Sequence, residues 1–210
     1  MTNASWRPDN RSGLSWVGGV CIALAFVTWL GGCAGGSSGG VTALRIQSTD
    51  RGTWMAPNYV TAVYRAIDEN TADIFLSDIP EAELLERMRL GPTPTPESAG
   101  TLTHVRLFLA PLAGKTPIDF TASNVTITHI VLAQGTMGVY GGGGFLLPDS
   151  SVGSPVFGGT MREASLRLLR SDEGFADLLG LAEISGHIAA RRDDTFADSV
   201  SARMVLMLRR

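Results

Sequence analysis

The 210-residue chain reads as mainly β: an antiparallel β-sandwich or barrel-like domain with one or two short helices, after an N-terminal apolar signal or anchor segment. Three observations predict this. Eight or so short runs with apolar/polar alternation or β-branched enrichment crowd residues 41–210, separated by Gly, Pro, Asn and Asp. One stretch alone carries a full set of helix signals. The one long uncharged apolar run, WVGGVCIALAFVTWLGG (16–32), lies near the N-terminus and is only 17 residues long, short of the about 20 that a spanning helix needs.

Residues 1–32 have the order of a secretory leader: a polar n-region with Arg7 and Arg11, an apolar centre, then small residues. Leu30-Gly31-Gly32-Cys33 follows the apolar centre directly. This motif resembles the bacterial lipobox, although the n-region is long and holds Asp9. The resemblance implies diacylglyceryl transfer to the Cys33 thiol and cleavage between Gly32 and Cys33. It covers the leader alone; residues 41–210 resemble no family. The other cysteine, Cys21, lies inside the apolar run and would leave with it, so the mature chain would form no internal disulfide. An uncleaved anchor helix over 16–32 is the alternative.

AGGSSGG (34–40) is a Gly/Ser coil that would let the domain swing roughly 15 Å from the membrane. What the resemblance implies is a location in the bacterial cell envelope, facing the periplasm or exterior. Ala34, which is not acidic, leans towards the outer membrane where there are two. Residues 41–210 then form a single strand-rich domain.

Within it, VTALRIQST (41–49) alternates in part, and YVTAVYRAI (59–67) and DIFLS (73–77) flank an Asp68-Glu69-Asn70 turn, as a hairpin would. Asp78-Ile79-Pro80-Glu81 supplies a helix start, with Asp78 as the cap. Leu84, Leu85 and Met88 form the apolar stripe of that helix, Glu83 and Arg87 sit four apart, and Gly91 follows as a stop. GPTPTPESAG (91–100) is a proline-rich surface loop. THVRLFLAP (103–111) and NVTITHIVLAQG (124–135) alternate as strands. GVYGGGGFLLP (138–148) suggests two short strands joined across four glycines, and Tyr140 and Phe145 flank that joint as a candidate binding loop. ASLRLLR (164–170) is a further strand, EGFADLLGL (173–181) a second short helix. AEISGHIAARRD (182–193) and SVSARMVLML (199–208) form a hairpin through Asp194, with Val200, Ala202, Met204, Leu206 and Leu208 on one face.

The chemistry-bearing residues are sparse. A net charge of −3 gives no basic field and argues against nucleic acid as a partner. His104, His129 and His187 occupy separate strands without the spacing of a metal motif, so no metal or cofactor is expected. No GxSxG elbow occurs, and the acid pairs Asp68/Glu69, Asp172/Glu173 and Asp193/Asp194 fall at predicted turns. The expectation is a membrane-anchored lipoprotein whose domain binds or assembles with an envelope protein or glycan. The competing expectation is a lipid-anchored hydrolase, which would gather histidines and acids into a deep polar cleft.

Overall fold

A computed structural model describes residues 41–90, 99–108 and 123–209. The leader, Cys33, the tether and most of the proline-rich segment lie outside the described residues. Nine strands form one sheet: β1 (Ala43–Ser48), β2 (Trp54–Met55), β3 (Thr61–Ala66), β4 (Thr71–Ser77), β5 (Gly100–Phe108), β6 (Val125–Ala133), β7 (Thr136–Pro148), β8 (Val156–Ser171) and β9 (Leu181–Arg192). Two helices accompany them, α1 (Glu81–Leu90) and α2 (Asp194–Leu208).

The strand order is β2-β1-β9-β3-β4-β5-β6-β7-β8, and β8 also pairs with β9. The pairings from β9 through β3 to β8 therefore return to β9. Every pairing is antiparallel except β3 with β9, where Val63 and Tyr64 lie parallel to Arg191 and Arg192. β9 accommodates three neighbours because β1 occupies its first half, through Ala182 to His187, and β3 only its last residues.

The period of two in each strand sends alternate side chains to two separate cores. One face, here called inner, gathers Leu44, Ile46, Tyr64, Ile74, Val105, Ile127, Leu166 and Ile184 into the larger cluster. The opposite face of β3–β7 carries Val63, Phe75, Leu102, Ile130 and Val139, which pack under Leu84 and Met88 of α1 and Ala197, Val200, Met204 and Met207 of α2.

Four local expectations need correction. The segment 199–208 is helix, not strand. Its buried residues follow a spacing of three and four, and the supposed strand face does not exist: Leu206 is 63 % exposed. Asp193 begins α2 by accepting the Phe196 amide at 2.9 Å, and Arg170 donates to the Leu208 carbonyl at its far end. The run ends in five consecutive apolar residues, 204–208, which fit either period; packing of Val200, Met204 and Met207 against the sheet selects the helix, and Asp193 caps it.

Residues 138–148 are one continuous strand within β7, not two. The glycines mark close approach to β8, not a loop: a Cβ on Gly142 would run into the Ser165 carbonyl, and one on Gly144 into Ala164. Register shifts interrupt the β7–β8 ladder there, between Val139 and Tyr140 and between Gly143 and Phe145.

Residues 173–180 are irregular, and Leu181 begins β9. Gly174 and Gly180 take positive φ (83° and 58°), and the Asp177 carboxylate accepts the Leu179 and Gly180 amides, an alternative to helix. Asp78 does not cap α1: its carboxylate accepts the Thr101 amide of β5 at 2.6 Å, and the first helical hydrogen bond goes from the Leu84 amide to the Pro80 carbonyl. The Glu83–Arg87 pair forms as expected, at 2.8 Å.

Candidate functional site

A cavity of about 460 Å³ opens at the end of the sheet where β6 turns into β7. Trp54 and Met55 form one wall, Val131, Ala133 and Tyr140 another, and Phe175, Leu178 and Leu179 of the β8–β9 connection a third. Its lining residues with polar side chains are Thr53, Gln134, Thr136, Tyr140 and the indole-bearing Trp54, and none of the described lining residues is charged. At the rim, Trp54 is 60 % and Leu178 64 % exposed, so the mouth is apolar too. The Arg45 guanidinium stacks over the Trp54 ring, 4.8 Å from its centroid.

The third wall is held by specific contacts. Tyr140 donates to Asp177 at 2.7 Å, Arg51 pairs with the same carboxylate at 3.2 Å, and the Thr53 hydroxyl donates to the Leu178 carbonyl. Burial first, then the hydrogen bond to and charge of Asp177, raise the Tyr140 phenol above its ordinary value, so it stays a donor at neutral pH. Phe175 lies over Gly138, where any Cβ would fall inside its ring, and meets the Tyr140 ring edge-on at 6.4 Å.

Behind the wall, the inner face holds a buried polar run. The Thr103 hydroxyl sits 3.3 Å from the Tyr59 hydroxyl and 2.8 Å from His129 Nδ1. His129 is fully buried, which pushes its imidazole down to about 4 and keeps it neutral at pH 7. Its ring centroid is 6.2 Å from that of Tyr140, the residue directly opposite on β7. Among the described residues, His129 Nε2 and Thr101 Oγ1 are buried without a hydrogen-bond partner.

The densest charge cluster lies on the opposite face. Asp73, 1 % exposed, faces Arg65 on β3 and Arg106 on β5 directly across the ladders. Its carboxylate accepts Arg65 Nη2 at 2.7 Å, Arg106 Nε at 2.9 Å and His104 Nε2 at 2.9 Å, and Arg65 continues to Asp198 of α2. Burial alone would raise this carboxyl; the hydrogen bonds from His104 and Arg65 and the charges of His104 and Arg106 outweigh it and hold the group well below the usual carboxylate range. His104 also stacks on Phe75 at 4.7 Å. Every lone pair has a partner from β3, β5 or their neighbours, so the cluster is a clamp between sheet and helix.

Of the sequence-predicted residues, Tyr140 reaches the cavity from the inner face of β7, whereas half-buried Phe145 lies five positions along the same strand and outside the cavity lining. The structure does not bring these two together. The three histidines also part: His104 joins Asp73, His129 is on the inner face, and His187 lies 3.9 Å from Asp149. Of the acid pairs, Asp68 accepts the Asn70 amide in the β3–β4 turn, Asp172 accepts the Met137 amide, and Asp193 caps α2. Among the described residues, no three His, Cys, Asp or Glu side chains are placed to hold a metal, and no helix is long and apolar enough to cross a membrane.

Sequence reasoning missed Trp54, Phe175, Leu178 and Leu179. Trp54 is the single tryptophan beyond residue 32, a signal available in the sequence; the others became a wall only through the fold. Compared with protein-family models, characterised proteins and solved structures, the chain matches none.

Proposed function

We propose that this chain is an envelope lipoprotein, tethered through lipid on Cys33, whose β-domain is a closed barrel that binds an apolar ligand in its end cavity. The uncharged apolar cavity carries this reading. A charged group moved into it would lose its hydration without a compensating partner, whereas an apolar chain gains about 0.8 kcal/mol for each buried methylene. Its size falls within the roughly 300–1,000 Å³ range of small-molecule sites. The cyclic strand pairing supports the barrel, whose mouth is the natural place for such a site.

The position of the cavity agrees with a tethered role. β1 enters beside His187 and ends beside Ala182, near the cavity, so the mouth lies roughly 17 Å along the strand from Ala43. The cavity thus lies by the Ser48 end of β1, the end away from Ala43. A hydrolytic site has less support, because the three histidines are separated, His104 being engaged with Asp73 on the opposite face and His187 with Asp149, and no histidine or acid lines the cavity.

The test uses the full chain, expressed in bacteria given a labelled fatty acid, beside Cys33→Ala. Label on the parent alone supports the anchor; equal absence of label overturns it. The purified protein in phospholipid nanodiscs then reports on the cavity. Residues 1–32 contain Trp6, Trp16 and Trp29, so cleavage before Cys33 leaves Trp54 as the sole tryptophan. Saturable quenching of Trp54 by 1-bromooctane, lost in the cavity-filling Ala133→Phe, is expected. Linear quenching identical in both proteins would overturn the binding reading.

A further inference from the structure

The inner face beside the cavity contains the only two described buried side-chain polar atoms without a partner, His129 Nε2 and Thr101 Oγ1. Their placement relative to the cavity follows from register. Thr101 is directly opposite Val131, and His129 directly opposite Tyr140. Val131 and Tyr140 are cavity wall. Directly opposed residues on one face of an antiparallel pair have Cβ atoms about 4.5–5.5 Å apart, so each orphaned group stands one cross-strand step behind that wall. Thr101 and His129 are themselves diagonal neighbours across β5 and β6, since Thr103 pairs with His129.

The hydrogen-bond sense along the run fixes what His129 offers. If Tyr59 donates to Thr103 and Thr103 donates to His129 Nδ1, every donor up to the ring is used and Nε2 carries the hydrogen. The opposite sense leaves the Tyr59 hydroxyl hydrogen without an acceptor as well as Nε2 without a donor. The first arrangement is the better satisfied. His129 Nε2, across the ring from Nδ1 and so turned away from Thr103, is then an N–H donor, and the Thr101 hydroxyl is a second.

We propose that His129 and Thr101 form a polar recess one cross-strand step behind the Val131–Tyr140 wall of the cavity, where they donate to an uncharged oxygen acceptor of an amphiphile whose apolar chain fills the space between Trp54 and Phe175. The ligand class is an uncharged alcohol, ester or ketone carrying a hydrocarbon chain, bound with its oxygen inward past Tyr140 and its chain end towards Trp54. An anion is disfavoured there, because the neutral imidazole would have to take up a proton in a fully buried site. This inference rests on the cavity being a ligand site and adds which end of the ligand goes in first.

The test compares 8-bromo-1-octanol with 1-bromooctane as quenchers of Trp54, in the full chain in phospholipid nanodiscs, at matched free aqueous concentrations. Inward binding of the hydroxyl places the terminal bromine at the mouth beside Trp54. His129→Leu should weaken the bromo-alcohol about tenfold and leave 1-bromooctane unchanged, because it strands a buried hydroxyl in one case only. His129→Gln, which keeps a donor, should recover part of that loss, and Thr101→Val should weaken the alcohol selectively without altering the imidazole. Equal weakening of both probes, or no selective effect in Thr101→Val, overturns the polar-recess assignment while the cavity stands. Saturable quenching by neither probe in the parent overturns the cavity reading and this inference with it.

Discussion

Replacing Asp73 by Asn removes one charge from the clamp between β3, β4, β5 and α2 while nearly preserving its shape. The carboxylate is 1 % exposed and accepts hydrogen bonds from Arg65, His104 and Arg106, each charge-assisted when its donor is protonated. Breaking a buried pair by removing one partner costs about 3–5 kcal/mol. The Arg65 and Arg106 side chains keep 22 % and 40 % of their surface in solvent, which places this case at the low end, about 3 kcal/mol. That is a large share of a total stability on the order of 5–15 kcal/mol.

The pH dependence gives an independent check. The folded Asp73 carboxyl is held below its unfolded value, so its contribution is complete above the unfolded pKa of about 3.9 and fades as pH falls towards the folded one. At pH 3 the unfolded carboxyl is mostly protonated and the folded one is not, which removes about 1.3 kcal/mol relative to pH 5.5. Urea unfolding of parent and variant at both pH values should therefore show a difference of about 3 kcal/mol at pH 5.5 that narrows by about 1.3 kcal/mol at pH 3. A difference under about 1 kcal/mol at pH 5.5, or one that does not narrow in acid, would refute the clamp.

Two further substitutions probe the helix start and the cavity wall. Asp193→Ala removes the α2 cap and the 2.8 Å pair with Arg191, and should lower stability by about 1–2 kcal/mol in urea unfolding with the transition still cooperative. An effect within noise would mean that Phe196 finds another acceptor. Gly138→Ala places a methyl where the Phe175 ring lies, so it should cost about 1–3 kcal/mol and weaken 1-bromooctane quenching of Trp54 by displacing the third wall. Unchanged quenching would show that Phe175 does not shape the cavity.

The strands were legible because their signal is local: partial alternation at 41–49, alternation at 124–135, and an Asp68-Glu69-Asn70 turn ahead of the apolar run at 73–77 mark β1, β6 and β4 without reference to the rest of the chain. Helix α1 was legible for the same reason, from Leu84, Met88 and the Glu83–Arg87 spacing. At 199–208 the apolar residues satisfy both a period of two and a helical spacing, so periodicity cannot choose, and the choice falls to packing of Val200, Met204 and Met207 against the sheet. Glycines are equally ambiguous: Gly141 to Gly144 serve a turn or a close approach, and only the positions of β8, against Gly141, Gly142 and Gly144, and of β6, against Gly143, make them the latter.

The sequence by itself determined a strand-rich domain after an uncharged apolar run at 16–32 and pointed to Tyr140 as a residue of interest. Tertiary structure alone decided that Tyr140 meets Asp177, that Trp54, Val131 and Phe175 share one cavity, and that His129 and Thr101 are left with unpaired atoms behind its wall. These residues are separated by tens of positions and come together only when β9 pairs with β1 and β3 and also with β8. Long-range register places them, and register is a property of all nine strands together, carried by no single segment.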